Sequence, residues 1–285
     1  MSIPERVGVL GGGRMGAGIA HAFLLAGAEV VVVERDAELA SDAKQRIRKS
    51  IAESIRRGTT HKVAKEVDAR LTTDVDVDAF AGCDLVIEAV PEDLELKLKA
   101  LHRVEAAIEP GSPLASNTSS ISIDALAAGL ERPDAFLGLH FFNPVPSSQL
   151  VEIVLGTATD PDLAERARTW VTALDKTPIT VLDTPGFASS RLGALLAAEA
   201  IRMLEAGVAS ADDIDSAMTL GYKHPVGPLR LTDMVGLDVR LNILEYLHGE
   251  LGDRFEPPAL LRRMVAEGKL GRKTGAGFFV WEDAQ

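Results

Sequence analysis

The stretch RVGVLGGGRMGAGIAHAF, residues 6–23, decides the fold of the first half of the chain. A short apolar run predicts a strand, the glycines predict a turn, and the pattern from about Gly16 to Ala26 predicts a helix. Gly11, Gly13 and Gly16 have the spacing G-x-G-x-x-G, which suits a tight turn whose bare backbone and helix N-terminus face a pyrophosphate. This context predicts a dinucleotide-binding unit, and a glycine-rich turn without a ligand is the alternative.

Glu34 indicates which dinucleotide is bound. It ends the second predicted strand, AEVVVVE, at residues 28–34. A carboxylate at this point suits both ribose hydroxyls of adenosine and repels a 2′-phosphate, so NAD is favoured over NADP. Arg14 and Arg35 lie close to the same pocket and would weaken that preference. The residues predicted to bind the cofactor here are Gly11, Gly13, Arg14, Met15, Gly16, Glu34 and Arg35.

The rest of the first half alternates short apolar runs with helical patterns, as a parallel α/β sheet does. Further strands are predicted within 83–90, 113–120, 135–144, 149–156 and 178–186, and long helices within 37–57 and 92–108. After Pro185 and Gly186 the pattern is helical, at 187–207, near 229–250 and near 258–267. We therefore predict a doubly wound, mostly parallel α/β domain over residues 1–185 and an all-helical domain over residues 186–285.

Composition and charge narrow the function classes. The chain has 285 residues, 46% of them hydrophobic, and a formal net charge of −12. This charge argues against a nucleic-acid-binding surface and a polybasic membrane patch, so neither partner is expected. The single cysteine, Cys83, excludes an internal disulfide, and no metal site is expected because the histidines do not cluster. The N-terminus lacks a signal-peptide pattern, so a cytoplasmic location is expected.

A histidine and a carboxylate stand where the sheet would bind a ligand. Polar residues occur at three predicted strand ends, in SNTSS (116–120), HFFNP (140–144) and QLVEIV (149–154). Glu152 lies in an apolar run, where a carboxylate is costly unless it is paired. Pairing with His140 would resolve that cost and orient the imidazole as a general base. The alternatives are a structural histidine and a strand-end charge that reaches solvent.

With these residues in view, the sequence resembles the 3-hydroxyacyl-CoA dehydrogenase family, with the bacterial 3-hydroxybutyryl-CoA dehydrogenases as the nearest group. The resemblance implies a Rossmann-type NAD-binding domain, a helical C-terminal domain that makes most of a homodimer interface, and an active site between the two. It is carried by GVLGGGRMGAGIAHAF, DLVIEAVPEDLELK, ASNTSSISI, GLHFFNPVPSSQLVEIV, DTPGF, HPVGPLRLTDMVGLD and GRKTGAGFF.

The resemblance also implies residue roles. His140 matches the catalytic base, Glu152 its orienting partner, and Ser119 a serine that hydrogen-bonds the 3-oxygen of the substrate. The further matches to cofactor-binding positions are Ala89, Val90, Glu92, Lys97, Asn117, Ser119, Asn143 and Lys273. The helix with Arg46, Arg48, Lys49, Ser50, Arg56 and Arg57 matches the CoA-contacting region, from which Ser50 and Arg57 are taken as substrate-binding residues. A solvated helix face would have the same pattern.

Two positions depart from the family pattern. The family usually has G-F-x-x-N-R at the start of the second domain, and this chain has GFASSR, with Ser190 in place of an asparagine that helps complete the active site. Gln149 is a second difference, near the acyl end of the pocket. The expected reaction is reversible NAD-dependent oxidation of a short-chain (3S)-3-hydroxyacyl-CoA. The alternatives are the same chemistry on an acyl-carrier-protein thioester or another 3-hydroxy acid, and an NAD-binding protein with little activity.

Overall fold

A computed structural model describes residues 3–282, within which eight strands form one sheet. The strands are β1 (Arg6–Leu10), β2 (Glu29–Val33), β3 (Leu71–Asp74), β4 (Leu85–Glu88), β5 (Leu114–Ser116), β6 (Phe136–Phe141), β7 (Leu150–Leu155) and β8 (Thr177–Leu182). Their order is β3-β2-β1-β4-β5-β6-β7-β8. The pair β6/β7 is antiparallel and the other neighbouring pairs are parallel. The mostly parallel sheet is the predicted one.

The chain divides into two compact units between Thr184 and Pro185. The helices of the first unit are α1 (Arg14–Ala26), α2 (Ala37–Arg56), α3 (Ala64–Asp68), α4 (Leu94–Ala107), α5 (Ile123–Ala127) and α6 (Pro161–Ala173). Those of the second unit are α7 (Ser189–Glu205), α8 (Ala211–Ser216), α9 (Pro228–Val235), α10 (Leu237–Leu251) and α11 (Ala259–Ala266). No helix among residues 3–282 is both long enough and apolar enough to cross a membrane.

The core of the first unit follows from strands that are buried on both faces. The valines at 30–33 in β2 are all buried, as a central parallel strand covered by helices requires. Ile19 and Phe23 of α1 pack into the same cluster. Gly27 then ends α1 in the left-handed conformation, with φ +107°. The first strand and helix are thus fixed on either side of the glycine turn.

The structure differs from the sequence prediction at several elements, among them the short helices α3 and α5, which were not predicted. The strand β3 was not predicted, because LTTD has only four residues and exposes alternate ones. The helix α6 was also missed, although Asp160 caps it and Pro161 opens it. The helix predicted near 229–250 is instead two helices, α9 and α10. Gly236 separates them at φ +106°, which a continuous helix does not allow.

Asp233 joins the C-terminal segment to the helices of the second unit. Its buried carboxylate accepts hydrogen bonds from the backbone N–H of Phe278 and Phe279 and from the indole N–H of Trp281, each at 2.9 Å. A β-carbon at Gly277 would lie 2.1 Å from this carboxylate, so the segment approaches Asp233 closely. The second unit therefore depends on one buried acceptor for the placement of its last residues.

We expect Asp233→Ala to lower the free energy of unfolding by about 3 kcal/mol, because three half-buried donors lose their buried acceptor. Urea unfolding followed by tryptophan fluorescence measures the change. Asp253→Ala, at an exposed aspartate of the same unit, is the matched control and should unfold like the parent. Equal stability of the two variants would contradict the role given to Asp233.

Candidate active site

The glycine turn after β1 has the form that a pyrophosphate needs. Gly11 has φ +93°, and a β-carbon at Gly16 would lie 1.8 Å from the carbonyl oxygen of Gly11. Both positions therefore require glycine. At Gly13, the N-cap of α1, an added β-carbon would meet no atom of residues 3–282 within 4 Å, and no described side chain caps the helix. The space beside this uncapped helix N-terminus is thus open, which suits an anion.

Glu34 and α2 hold the middle of this turn. The Oε1 atom of Glu34 accepts a hydrogen bond from the N–H of Gly12 at 2.6 Å, and Arg46 of α2 donates to the carbonyl oxygen of Gly12 at 2.6 Å. The backbone N–H of Arg35 donates to the Oε2 atom of Glu34 at 3.2 Å, while the Arg35 side chain is exposed and pairs with Asp36. The carboxylate is therefore oriented beside the turn before any ribose binds.

His140 and Glu152 lie directly opposite each other on the antiparallel pair β6/β7. The Nδ1 atom of His140 is 2.7 Å from the Oε2 atom of Glu152. The two residues are 6% and 0% exposed, respectively. The ring of Phe142 lies against the imidazole, with 4.4 Å between ring centroids. The buried carboxylate therefore has the partner that its position in an apolar strand requires.

Lys176 fixes the loop between these two strands, and sequence reasoning missed it. Its ammonium donates to the carbonyl oxygen of Val145 at 2.7 Å and to that of Ser148. Val145 also packs on α1, since a β-carbon at Gly18 would lie 2.7 Å from the Val145 β-carbon. The loop carries Asn143, which is exposed. Lys176 before β8 gave no sequence signal, because a lysine at a strand end is equally compatible with solvent and with a buried contact.

Glu92 organises the loop that contains Ser119. Its Oε1 atom accepts hydrogen bonds from the Thr118 hydroxyl at 2.6 Å and from the N–H groups of Ser119 and Ser120 at 2.8 and 3.1 Å. The Ser119 hydroxyl lies 3.2 Å from the same oxygen. Burial acts to raise the pKa of Glu92, but the charge of Lys97 and these hydrogen bonds outweigh it, and the pKa lies below its ordinary value. Glu92 is therefore an anion at neutral pH.

Lys97 is buried and pairs with a buried carboxylate. It is 1% exposed, and its Nζ atom donates to the Oε1 atom of Glu88 at 2.7 Å.

Asn117 joins two strand ends, since its N–H donates to the carbonyl oxygen of Glu88 and its Oδ1 atom accepts from the N–H of Phe141. Val90 donates its N–H to Glu88, and Ala89 donates its own to Leu10. Sequence reasoning did not single out Glu88.

The basic face of α2 is largely paired within the protein. Arg48 makes two hydrogen bonds to Asp68, at 2.6 and 2.8 Å. Arg56 and Arg57 both pair with Glu53, and their hydrogen bonds lower the pKa of Glu53 to about 2. Ser50 is half-buried. A polyphosphate ligand at this face would therefore compete with existing ion pairs.

Two predicted site residues belong to the second unit. Ser190 is the second residue of α7 and is half-buried. The Nζ atom of Lys273 lies 2.6 Å from both carboxylate oxygens of Asp238. Burial acts to raise the pKa of Asp238, but the hydrogen bonds from Lys273 and the backbone hold it below its ordinary value. Lys273 thus has a counterion within its own unit.

Comparison with known proteins identifies the family. Residues 6–184 match "3-hydroxyacyl-CoA dehydrogenase, NAD binding domain" and residues 186–281 match "3-hydroxyacyl-CoA dehydrogenase, C-terminal domain". The chain belongs to the 3-hydroxyacyl-CoA dehydrogenase family. The glycine turn and the His140–Glu152 pair both lie in the region that matches the NAD-binding domain of this family. The chain is thus an NAD-dependent dehydrogenase of this family, as its sequence resemblance predicted.

Three relatives show how far the similarity extends. A probable 3-hydroxybutyryl-CoA dehydrogenase of Deinococcus radiodurans is 42% identical, over 96% of this chain and 99% of that protein. The human mitochondrial hydroxyacyl-coenzyme A dehydrogenase is 38% identical, over 98% of this chain and 92% of that protein. The crystal structure of the (S)-3-hydroxybutyryl-CoA dehydrogenase of Ralstonia eutropha is 40% identical and has a TM-score of 0.93, covering 99% of this chain and 100% of that chain.

We expect Glu34→Gln to raise the ratio of kcat/KM for NADPH to that for NADH by about tenfold or more. The amide keeps an acceptor for the N–H of Gly12 but no longer repels a 2′-phosphate. Steady-state rates with both cofactors measure the ratio. Glu38→Gln, at an exposed glutamate of α2, is the control and should leave the ratio unchanged. An unchanged ratio in Glu34→Gln would show that Glu34 does not determine the choice between NADH and NADPH.

Proposed function

We propose that this protein catalyses the reversible, NAD-dependent oxidation of (3S)-3-hydroxyacyl-CoA to 3-oxoacyl-CoA, with short-chain substrates such as 3-hydroxybutyryl-CoA. The observation that carries this proposal is the buried pair of His140 and Glu152, with 2.7 Å between Nδ1 and Oε2. Relatives named as 3-hydroxybutyryl-CoA dehydrogenases, similar over nearly the whole chain, support the choice of substrate.

The pair supplies a general base of defined orientation. The Nδ1–H of His140 donates to Glu152, which places the lone pair of the neutral imidazole on Nε2. That atom takes the proton of the 3-hydroxyl group, and Glu152 stabilises the imidazolium that results. The chemistry that NAD would supply when bound is acceptance of the hydride from C3 and, as NADH, donation of a hydride to C3 in the reverse reaction. In that direction protonated His140 gives its proton to the 3-oxygen.

Ser119 positions the reacting oxygen. Its hydroxyl makes the longest of the five hydrogen bonds to the Oε1 atom of Glu92, at 3.2 Å. The Thr118 hydroxyl and the N–H of Ser119 remain on that oxygen at 2.6 and 2.8 Å. The serine hydroxyl can therefore turn to the substrate while the loop keeps its shape. A donor at the 3-oxygen stabilises negative charge that develops there during reduction.

The cofactor binds at the turn and strand ends described above. Gly13 and the N-terminus of α1 would hold the pyrophosphate, and Glu34 would hold the adenosine ribose. Glu92, Asn117 and Asn143 lie on the loops that follow β4, β5 and β6, at the carboxyl edge where ligands bind in such sheets. Ser50 and Arg57 of the basic α2 region are the residues proposed for the CoA portion of the substrate.

The first experiment is oxidation of NADH with acetoacetyl-CoA, compared with NADPH and with a longer 3-oxoacyl-CoA. Rapid turnover with NADH and the short thioester is expected. A preference for a carrier-protein thioester would overturn the CoA assignment, and Ser190 in the place of the family asparagine makes that comparison necessary. NADH binding without turnover on any 3-oxoacyl thioester would overturn the enzyme proposal.

We expect His140→Gln to lower kcat by at least about a hundredfold, which is the usual contribution of a general acid–base group. Glu152→Gln should lower kcat less, by about tenfold or more, because the amide keeps a hydrogen-bond acceptor but no charge beside the imidazolium. His102→Gln, at an exposed histidine of α4, is the matched control. Near-full turnover in His140→Gln would exclude His140 as the base.

We infer that the protein is a homodimer through its second unit. Exposed apolar side chains lie on two helices that pack together, Leu192 and Leu195 on α7 and Leu231 and Met234 on α9. Leu192 and Leu195 are three residues apart on α7, and Leu231 and Met234 are three apart on α9, so each pair lies on one helix face. Exposed apolar side chains grouped in this way mark an interaction surface. A second copy of this chain is the occupant that the family resemblance implies.

Light scattering tests the dimer, and the parent should have twice the chain mass of 30.3 kDa. The double variant Leu192→Glu/Met234→Glu should have the mass of one chain, because two carboxylates would be buried in the interface. Leu182→Glu, at an exposed leucine of β8, is the control and should keep the parent's mass. A monomeric parent would exclude the dimer.

A further inference from the structure

We propose that Arg240 anchors an anion site within the second unit, and that this site binds a monocarboxylate carried on a short apolar chain. Two sources have this chemistry, a free carboxylic acid and a carboxylate at the far end of the acyl chain of a substrate. The second source rests on the proposed function, and the first does not.

Arg240 is a cation in an apolar helix face. It lies in the first turn of α10 and is 5% exposed. Leu237 and Leu244 lie one turn before it and one turn after it on the same face, and both are fully buried. They belong to the apolar core of the second unit. A guanidinium in such a place is costly unless it is paired.

The guanidinium of Arg240 has no counterion among residues 3–282. Its Nε atom has no hydrogen-bond partner, and no carboxylate of those residues forms an ion pair with it. Burial lowers the pKa of Arg240 to about 10, and no neighbouring charge in that part of the chain acts on it. The side chain is therefore a cation at neutral pH, and its charge is uncompensated.

The other charged side chains that are buried in the described chain all have partners. The carboxylate of Asp215, for example, accepts hydrogen bonds from the N–H groups of Leu229 and Arg230 at 2.8 and 2.9 Å. The same is true of Glu88, Lys97, Glu105, Glu152 and Asp233. Because the protein satisfies its other buried charges internally, the unpaired guanidinium indicates a ligand.

Gly193 of α7 leaves open space beside this guanidinium. A β-carbon built at Gly193 would lie 3.6 Å from the Nη1 atom of Arg240. Outside its own helix turn, it would meet no other atom of residues 3–282 within 4 Å. Gly193 itself is half-buried, so solvent reaches this part of α7. The glycine therefore keeps the guanidinium accessible to a small ligand, and a larger side chain there would fill the space.

The chemistry of the site favours a monocarboxylate. A guanidinium presents two parallel N–H groups that match the two oxygens of a carboxylate. One cation neutralises one negative charge, whereas a phosphate dianion would keep a charge uncompensated in an apolar place. Ala194, next to Gly193, is buried in the same apolar cluster as Leu237 and Leu244. These neighbours favour a carboxylate on an apolar chain over a wholly polar anion.

Thermal unfolding of the whole protein tests the site without any substrate. Tryptophan fluorescence follows unfolding in sodium propionate and in sodium chloride of equal ionic strength. The parent should unfold a few degrees higher in propionate, because the ligand binds only the folded state. Arg240→Met should lose this difference. In chloride it should unfold at the parent's temperature or above it, because an unpaired buried charge and its desolvation cost are removed.

Gly193→Leu tests the same site while Arg240 is kept, so the proposal stays open to test where Arg240→Met does not fold. The leucine fills the open space and should also abolish the difference between propionate and chloride. Arg263→Met and Gly249→Leu, at exposed positions of the same unit, are the matched controls and should keep the parent's difference.

An absent difference in the parent, or an equal difference in the parent and Arg240→Met, would overturn the proposal. Light scattering supplies a further check, since Arg240→Met should keep the parent's mass. A lower mass would assign the counterion of Arg240 to a second copy of the chain, which would also overturn the proposal.

Steady-state rates identify the source of the carboxylate. The substrates are 3-oxohexanoyl-CoA and 3-oxoadipyl-CoA, which end in a methyl group and a carboxylate, respectively. If the acyl chain supplies the carboxylate, Arg240→Met should lower kcat/KM for 3-oxoadipyl-CoA relative to 3-oxohexanoyl-CoA by about tenfold or more, and Arg263→Met should not. An equal ratio in the parent and Arg240→Met, with the propionate effect present, assigns the site to a free carboxylate. Absent turnover counts against the proposed function alone, since the propionate experiment needs no substrate.

Discussion

The antiparallel return of β7 along β6 determines where the chemistry of this protein lies. In a parallel sheet the strand ends meet at one edge, where ligands bind. A parallel β7 would place its first residues at the opposite edge. Because β7 instead runs back along β6, Glu152 lies opposite His140 and at the same edge as the glycine turn. One reversal of strand direction therefore brings the carboxylate of Glu152 to the imidazole of His140.

Four carboxylates near this edge of the sheet each accept hydrogen bonds from groups of the protein. Glu34 accepts from the backbone of the glycine turn, Glu88 from Ser116 and Lys97, Glu92 from the Ser119 loop, and Glu152 from the imidazole. Each pairing removes the cost of a buried or half-buried charge and orients it at the same time. The acidic composition of the chain thus includes several carboxylates that shape the site.

The sequence predicted the glycine turn, the mostly parallel sheet and the closeness of His140 to Glu152 from patterns that are local. A carboxylate in an apolar run was the signal for Glu152. The same signal is present in LVIE, residues 85–88, and would have found Glu88. The partner of Glu88 is a lysine nine positions further on, and its burial depends on how α4 packs on the sheet.

Lys97 and Gly236 show the limit of pattern reasoning in a different way. A lysine on a charged helix is equally compatible with solvent, with a phosphate and with a buried carboxylate, and only tertiary packing decides among them. An apolar pattern likewise continues through Gly236, although the backbone there has φ +106° and ends one helix before the next. Side-chain patterns report which face is buried, but they do not report backbone conformation.

Hydrogen bonds also connect the strand ends along this edge of the sheet, from the glycine turn to His140. Ala89 donates to Leu10, Asn117 donates to Glu88, and the side chain of Asn117 accepts from Phe141. These hydrogen bonds join β1, β4, β5 and β6 in order, so the glycine turn and His140 belong to one hydrogen-bonded framework. The pair proposed to move the proton, His140 and Glu152, therefore belongs to the same unit as the glycine turn.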